Sequence, residues 1–190
     1  MRLTGIAKSA LFLLCLALAF AWTLSRASRV DAENETPKTQ EVRAKALSED
    51  KRFVDNGDQT VTDTQTGLMW TKEDAYLSLK RWINWHEARA FIDQLNAEEF
   101  AGYRDWQLPT KRQLITLYEP DKLNSSQLGH EMNIHIDPIF GKEGSGALWA
   151  MEDNGHYNAF GVVFNTGKEF SAHKDSRSRK SVRAVRLARP

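Results

Sequence analysis

A chain of 190 residues has room for one domain of ordinary size and a leader segment, but hardly for two domains. Its 41% apolar and 27% charged residues are typical of a globular protein and exclude collagen-like and low-complexity classes. The formal net charge of +1 hides an uneven distribution, because residues 171–190 hold seven cations and one acid. A basic end on an otherwise acidic domain either attracts polyanions or pairs with the domain's own acids.

The N-terminal segment has the pattern of a signal peptide. Arg2 and Lys8 precede an apolar run from Ala10 to Leu24, and small residues suited to cleavage follow it. The alternative is an uncleaved anchor that contacts the membrane through residues 9–25. We therefore predict a signal peptide or membrane anchor over residues 1–32. The domain is expected outside the cytoplasm, in the periplasm or at the cell surface, either soluble after cleavage or anchored.

The single cysteine of the chain, Cys15, lies inside this apolar run. Cleavage would leave a domain without thiols, which excludes disulfides, thiolate catalysis and cysteine-based zinc sites. Residues 33–50 are polar and weakly patterned, so they predict a linker. The domain itself is assigned to residues 51–190.

The domain begins with a predicted hairpin over residues 53–62, with Asn56 and Gly57 at its turn, because both residues tolerate positive φ. A second turn over residues 63–67 leads to a short strand at 68–70. Apolar residues spaced three and four apart predict a helix over residues 82–100. Thr110 and Gln113 have the spacing of a capping box that starts a second helix.

Residues 121–146 show no regular pattern and predict a long ordered excursion, a kind of segment that is often functional. Three strands are predicted after it, over residues 147–151, 160–164 and 181–187. Strands, two helices, a long loop and further strands together indicate an α+β fold with an antiparallel sheet.

Several motifs in this order resemble the bacterial Lcl C-terminal domain family, over roughly residues 53–187. They are Asp58-Gln59-Thr60-Val61-Thr62-Asp63, Thr66-Gly67-Leu68-Met69-Trp70, Trp85-His86-Glu87-Ala88, Gly102-Tyr103-Arg104-Asp105-Trp106-Gln107-Leu108-Pro109-Thr110 and Val182-Arg183-Ala184-Val185-Arg186. The resemblance implies a C-type-lectin-like fold, similar to the formylglycine-generating-enzyme group, in an exported bacterial protein. It also implies adhesion and glycan binding as functions, because the namesake domain terminates a collagen-like adhesin and binds sulfated glycosaminoglycans.

The sequence departs from the family pattern at two positions. Gln107 replaces the usual arginine and Gln113 the usual glutamate. These changes remove one charge of each sign, which is consistent with the loss of one salt bridge, while Gln113 keeps its capping role.

The tryptophans of the motifs are predicted to lie in the core: Trp70, Trp85, Trp106 and Trp149. Trp82 is the candidate for an exposed ring that stacks on a sugar. Arg183 and Arg186 lie in an apolar strand, so a structural ion pair with Asp105 or another buried acid is expected. Asp105, Leu108, Pro109 and Thr110 complete the residues to which we assign a structural role.

A basic stretch near the C-terminus is the best candidate for contact with a polyanion, although short basic runs are also common as solvated loops. The predicted ligand-binding residues are Lys168, His173, Lys174, Arg177, Arg179 and Lys180.

No metal, cofactor or catalytic residue is predicted. The spacing of His130 and His135 suits neither a helix nor a strand of a zinc site. Glu152, Asp153 and Asn154 offer too few oxygen ligands for calcium.

These observations favour a non-enzymatic binding or adhesion module for an anionic glycan or another envelope component. The alternatives are an enzyme that uses the long-loop pocket, with histidines and acids converging in a cavity, and a structural subunit of an envelope complex. No nucleic-acid partner is expected, and the oligomeric state is left open.

Overall fold

The structure is a computed structural model that describes residues 46–127 and 132–188. The predicted leader, most of the predicted linker and His130 lie outside these residues. The helices of the described part are α1 (Ala75–Leu79), α2 (Trp85–Ala97) and α3 (Lys111–Ile115), and a 3-10 turn spans Phe100–Gly102. The strands are β1 (Ala46–Leu47), β2 (Phe53–Asp55), β3 (Thr60–Asp63), β4 (Leu68–Thr71), β5 (Ser125–Gln127), β6 (Met132–Ile134), β7 (Ala147–Asn154), β8 (Asn158–Val163), β9 (Lys168–His173) and β10 (Val185–Leu187).

The strands of the described residues form three sheets rather than the one expected. Their orders are β1-β2-β3-β4-β10, β5-β6 and β7-β8-β9. Every pairing within these sheets is antiparallel, so the α+β prediction is confirmed. The strand β1 falls within the predicted linker and pairs with β2.

The predicted β2–β3 hairpin is present, with a turn longer than the Asn56-Gly57 pair alone. Gly57 and Gln59 both adopt positive φ, at 80° and 71°. The Asp55 carboxylate accepts a hydrogen bond from the Gly57 N–H, and Asp58 accepts one from Thr60. Carboxylates that bind backbone N–H groups two residues ahead explain why the chain turns over four residues here.

Helix α2 starts three residues later than its apolar periodicity predicts. Asn84 and Glu87 form a capping box there, which fixes the first helical residue at Trp85. The helix ends at Ala97 because Glu99 is left-handed, with φ at 52°. Helix α1, capped by Asp74, was not predicted because five residues are too few to show a helical period. The capping box of Thr110 and Gln113 is confirmed at the start of α3.

The excursion over residues 121–146 contains a short hairpin, β5–β6, where no regular element was predicted. Its strands have three residues each, Ser-Ser-Gln and Met-Asn-Ile, and such segments are too short and polar to give a strand pattern.

The closing strands also differ from the prediction. Residues 168–173 form strand β9, where no strand was predicted. Of the predicted strand 181–187, only Val185–Leu187 is regular. On β9, Phe170 packs against Gly161 of β8, where a Cβ atom would lie 2.4 Å from the ring. Glycine is therefore required at position 161 for the two strands to approach each other.

The four motif tryptophans Trp70, Trp85, Trp106 and Trp149 are all buried, as predicted. Arg186 forms the expected ion pair with Asp105, with Nε 2.6 Å from Oδ1. The ion pair expected for Arg183 is wrong: among the described residues no carboxylate lies within 4.0 Å of it, and its fully buried side chain donates instead, through Nη1, to the carbonyl oxygens of Thr71 and Lys72. The family motifs therefore supply the core tryptophans and the arginines that form buried or half-buried hydrogen bonds beside them.

Candidate functional site

The predicted basic residues lie on β9 and on the loop that follows it. Lys168 and His173 are the two ends of β9, about 17 Å apart for a strand of this length. Lys174, Arg177, Arg179 and Lys180 lie beyond the strand, so Lys168 is separated from them.

Lys174 connects this loop to helix α2. Its Nζ lies 2.7 Å from the Asp153 carboxylate and 4.9 Å from the centre of the Trp85 ring. The Trp85 N–H donates to the Lys174 carbonyl, and the Lys174 N–H donates to the carbonyl of Tyr157. These bonds join α2, the end of the β7–β8 hairpin and the loop after β9 into one surface.

We name this surface the α2–hairpin face and define it by Trp85, His86, Arg89, Met151, Asp153, His156, Tyr157, His173, Lys174, Asp175 and Arg177. Tyr157 is 67% exposed, and its ring stacks on His173 at a centroid distance of 6.1 Å. His156 meets the same ring edge-on at 4.9 Å. Trp82, the expected exposed aromatic, is instead half-buried and stacks on Tyr76 at 3.8 Å.

Three of the five histidines lie on this face. His86 and His173 flank Asp175, with nitrogen-to-oxygen distances of 3.7 and 3.6 Å. The Asp175 N–H donates to Nδ1 of His173, which assigns that nitrogen as an acceptor. His135 lies elsewhere, where its Nδ1 is 2.8 Å from the Lys122 carbonyl oxygen.

Most predicted cations of the loop already have partners. Arg177 binds both carboxylate oxygens of Glu87, at 2.9 and 3.1 Å. Lys180 is half-buried and donates to Ser176 and Ser178, and burial lowers the pKa of its ammonium. Within the described residues, Lys168 and Arg179 are exposed and have no carboxylate at ion-pair distance.

The Arg177 hydrogen bonds lower the pKa of Glu87 from its ordinary 4.5 to about 2. Ionised Glu87 therefore stabilises the folded state at all pH values above 4.5, and this contribution is lost as the pH falls through about 2. We expect Glu87→Gln to lower the melting temperature by a few degrees at pH 7 and to match the wild type near pH 2. Melting curves at pH 7, 4.5 and 2.5 measure this convergence, and a constant difference across the series contradicts it.

Three of the cavities on the described surface differ in their charged lining residues. The one formed partly by the long excursion, about 470 Å³, contains Lys122, which is paired with Asp50, Glu119 and Asp137. A second, about 370 Å³, has Glu73 as its charged lining residue. The third, about 320 Å³, lies on the α2–hairpin face beside Trp85 and has the exposed cation Arg89 at its rim. Asp93 also borders the third cavity, so its two charged lining residues are of opposite sign.

The catalytic arrangement considered from the sequence required histidines that converge in a cavity. The histidines of the α2–hairpin face lie outside the three cavities described above. In the described part of the chain, no group of three or more His, Cys, Asp or Glu side chains is placed to hold a metal ion. Glu152 instead accepts a hydrogen bond from the Lys111 N–H, and Asp153 pairs with Lys174.

The two departures from the family pattern have separate roles. Gln113 accepts a hydrogen bond from the Thr110 N–H, which completes its capping box. Gln107 pairs with Val185 through the backbone, while its exposed side chain borders the cavity beside Trp85. Sequence reasoning did not identify Met151 or Tyr157 as site residues, and the adjacent His156-Tyr157 pair before β8 was the available signal.

The family model described as Lcl C-terminal domain matches residues 59–186. A comparison with curated proteins finds no match. None of the helices that the structure describes is long and apolar enough to cross a membrane.

Proposed function

The chain belongs to the Lcl C-terminal domain family, and on that premise we propose that its domain is an exported, non-enzymatic binding module that holds an anionic glycan on the α2–hairpin face. The observation that carries this proposal is the exposed Tyr157, whose ring stacks on His173 and whose carbonyl accepts a hydrogen bond from the Lys174 N–H. An exposed aromatic ring supplies an apolar platform for a sugar, and neighbouring cations select sulfate or carboxylate groups.

The ion pairs of this face are compatible with anion binding. Arg177 and Asp153 keep 62% and 57% of their side chains exposed. Each pair therefore has one member open to solvent, where a sulfate group can contact the Arg177 guanidinium beside Glu87 or take the place of Asp153 next to Lys174.

Two further properties belong to the same proposal. A C-type-lectin-like arrangement is compatible with the elements of the described residues, which are antiparallel sheets, short helices and a long excursion. The leader pattern of residues 1–32 supports a location outside the cytoplasm, where an adhesion module would meet glycans or another envelope component.

A heparin column tests the anionic-glycan proposal. We expect retention at low salt and elution as the salt concentration rises, because exposed charges are screened. The double variant Arg177→Ala/Arg179→Ala and the variant Tyr157→Ala are each expected to bind heparin about tenfold more weakly, a change of about 1.4 kcal/mol.

Lys168→Ala is the matched control, because Lys168 is exposed and lies at the far end of β9. It removes one positive charge and should shift elution much less than the other variants do. Failure of the wild type to bind at low salt, or equal elution of all variants, would overturn the proposal.

A further inference from the structure

The cavity beside Trp85 combines apolar walls with a cation, an anion and an amide at its rim, and the binding of sulfate does not explain this combination. We propose that it binds the acetamido group of a sugar, as a subsite next to the Tyr157 platform. This inference rests on the proposed glycan-binding function and adds the class of sugar. It concerns an uncharged group, so it is testable separately from the recognition of anions.

The walls of the cavity are apolar and partly open to solvent. Met151, which is 52% exposed, projects from β7 beside the half-buried Leu108. Trp85 and Ile92 of helix α2 form the other wall. A partly exposed methionine beside aliphatic and aromatic side chains offers a site for a small apolar group such as a methyl.

The rim carries one cation, one anion and one neutral amide. Arg89 and Asp93 are four residues apart on α2 and therefore share a face, and Gln107 borders the cavity with them. All three side chains are exposed. Among the residues that the structure describes, neither Arg89 nor Asp93 has an ion-pair partner within 4.0 Å. The guanidinium carbon of Arg89 lies 5.0 Å from the centre of the Trp85 ring.

These charges select against simple ions. A sulfate or carboxylate placed in the cavity would lie beside Asp93, and an ammonium group would lie beside Arg89. A neutral amide satisfies both, because its N–H donates to the Asp93 carboxylate while its carbonyl oxygen accepts from Arg89 or from the Gln107 amide. The acetamido group adds a methyl that fits the apolar walls.

The position and size of the cavity favour a sugar over a peptide. Its volume of about 320 Å³ is at the lower end for small-ligand sites and admits one monosaccharide ring. Trp85 connects it to the rest of the face, because Lys174 approaches the same ring at 4.9 Å. A glycan that stacks on Tyr157 can therefore extend toward this cavity.

Titration of the purified protein with chitotriose, a neutral trimer of N-acetylglucosamine, tests the inference. Amide chemical shifts along α2 report occupancy of the cavity. We expect a dissociation constant on the order of 1 mM, and at least tenfold weaker binding of cellotriose, which lacks the acetamido groups. Equal binding of the two trimers would overturn the inference.

Asp93→Ala and Met151→Ala are each expected to weaken chitotriose binding at least fivefold. Both residues are exposed, so the variants should fold, and circular dichroism checks this. Asp121→Asn, at an exposed acid beside the Lys122 cavity, is the control and should bind like the wild type. An acetylated dipeptide amide that binds as tightly as chitotriose would also overturn the inference in favour of a peptide site.

The two proposals fail in different ways. Heparin retention without chitotriose binding overturns the acetamido site and leaves the anionic-glycan proposal supported. Chitotriose binding without heparin retention supports the acetamido site and overturns the recognition of anions.

Discussion

Replacement of Arg183 by alanine is expected to lower the free energy of unfolding by about 3–5 kcal/mol. The side chain is 1% exposed, and its Nη1 lies 2.6 Å from the Thr71 carbonyl oxygen and 2.5 Å from that of Lys72. Its guanidinium also lies over the ring of Phe140, at 4.7 Å. Alanine removes the charged donor from two carbonyl groups and leaves a cavity beside the aromatic ring.

The charge of Arg183 is itself costly to bury. Burial lowers its pKa to about 10, while the charges of Asp74 and Glu73 oppose that shift. Asp74 in turn accepts hydrogen bonds from the Leu77 and Ser145 N–H groups, so it remains partly satisfied in the variant. Arg183→Lys retains a positive charge but lacks the planar guanidinium with its several N–H donors. Its free energy of unfolding should fall between those of the wild type and Arg183→Ala.

Urea denaturation measures both variants, and Arg112→Ala is the matched control. Arg112 is exposed on helix α3, so its removal should change the unfolding free energy by no more than about 0.5 kcal/mol. Equal stability of Arg183→Ala and Arg112→Ala would show that the buried hydrogen bonds of Arg183 to Thr71 and Lys72 do not stabilise the fold.

Trp149→Ala should be comparably destabilising, by about 3–5 kcal/mol. Trp149 is fully buried on β7 and packs against Phe170 of β9 at a centroid distance of 5.5 Å. Its indole N–H donates to the Ile83 carbonyl at 3.0 Å. The substitution therefore creates a large cavity and leaves a buried carbonyl without this donor.

Trp82→Ala is the contrast for this prediction. Trp82 is half-buried, and its principal contact is the stacked ring of Tyr76. Loss of one aromatic pair at a partly exposed position should cost about 1 kcal/mol. Chemical denaturation of both variants should separate them clearly, and a reversed order would show that the indole of Trp149 is not central to the core.

Local sequence signals were reliable where the cause of a structure is local. The Asn56-Gly57 turn and the Thr110–Gln113 capping box were predicted because a few adjacent residues fix the backbone there. Burial of Trp70 and Trp149 followed from their size and apolar neighbours. The Arg186–Asp105 ion pair was expected because a charge in an apolar strand requires a partner.

Short or polar elements were missed because their stability comes from distant contacts. Strand β9 contains Lys168, Glu169 and His173, which carry little strand signal, and it forms because Phe170 and Ala172 pack inward against β8. The hairpin β5–β6 and helix α1 are similarly short.

The sequence by itself determined the α+β class, the family and the identity of the core tryptophans, because patterning and motif chemistry are properties of neighbouring residues. Only the tertiary structure decided which predicted cations are free, since the partners of Lys174 and Arg177 come from β7 and α2. It also brought Tyr157, His173 and Arg89 to one face. Residues so far apart in the chain meet there because strand pairing and helix packing fix their positions.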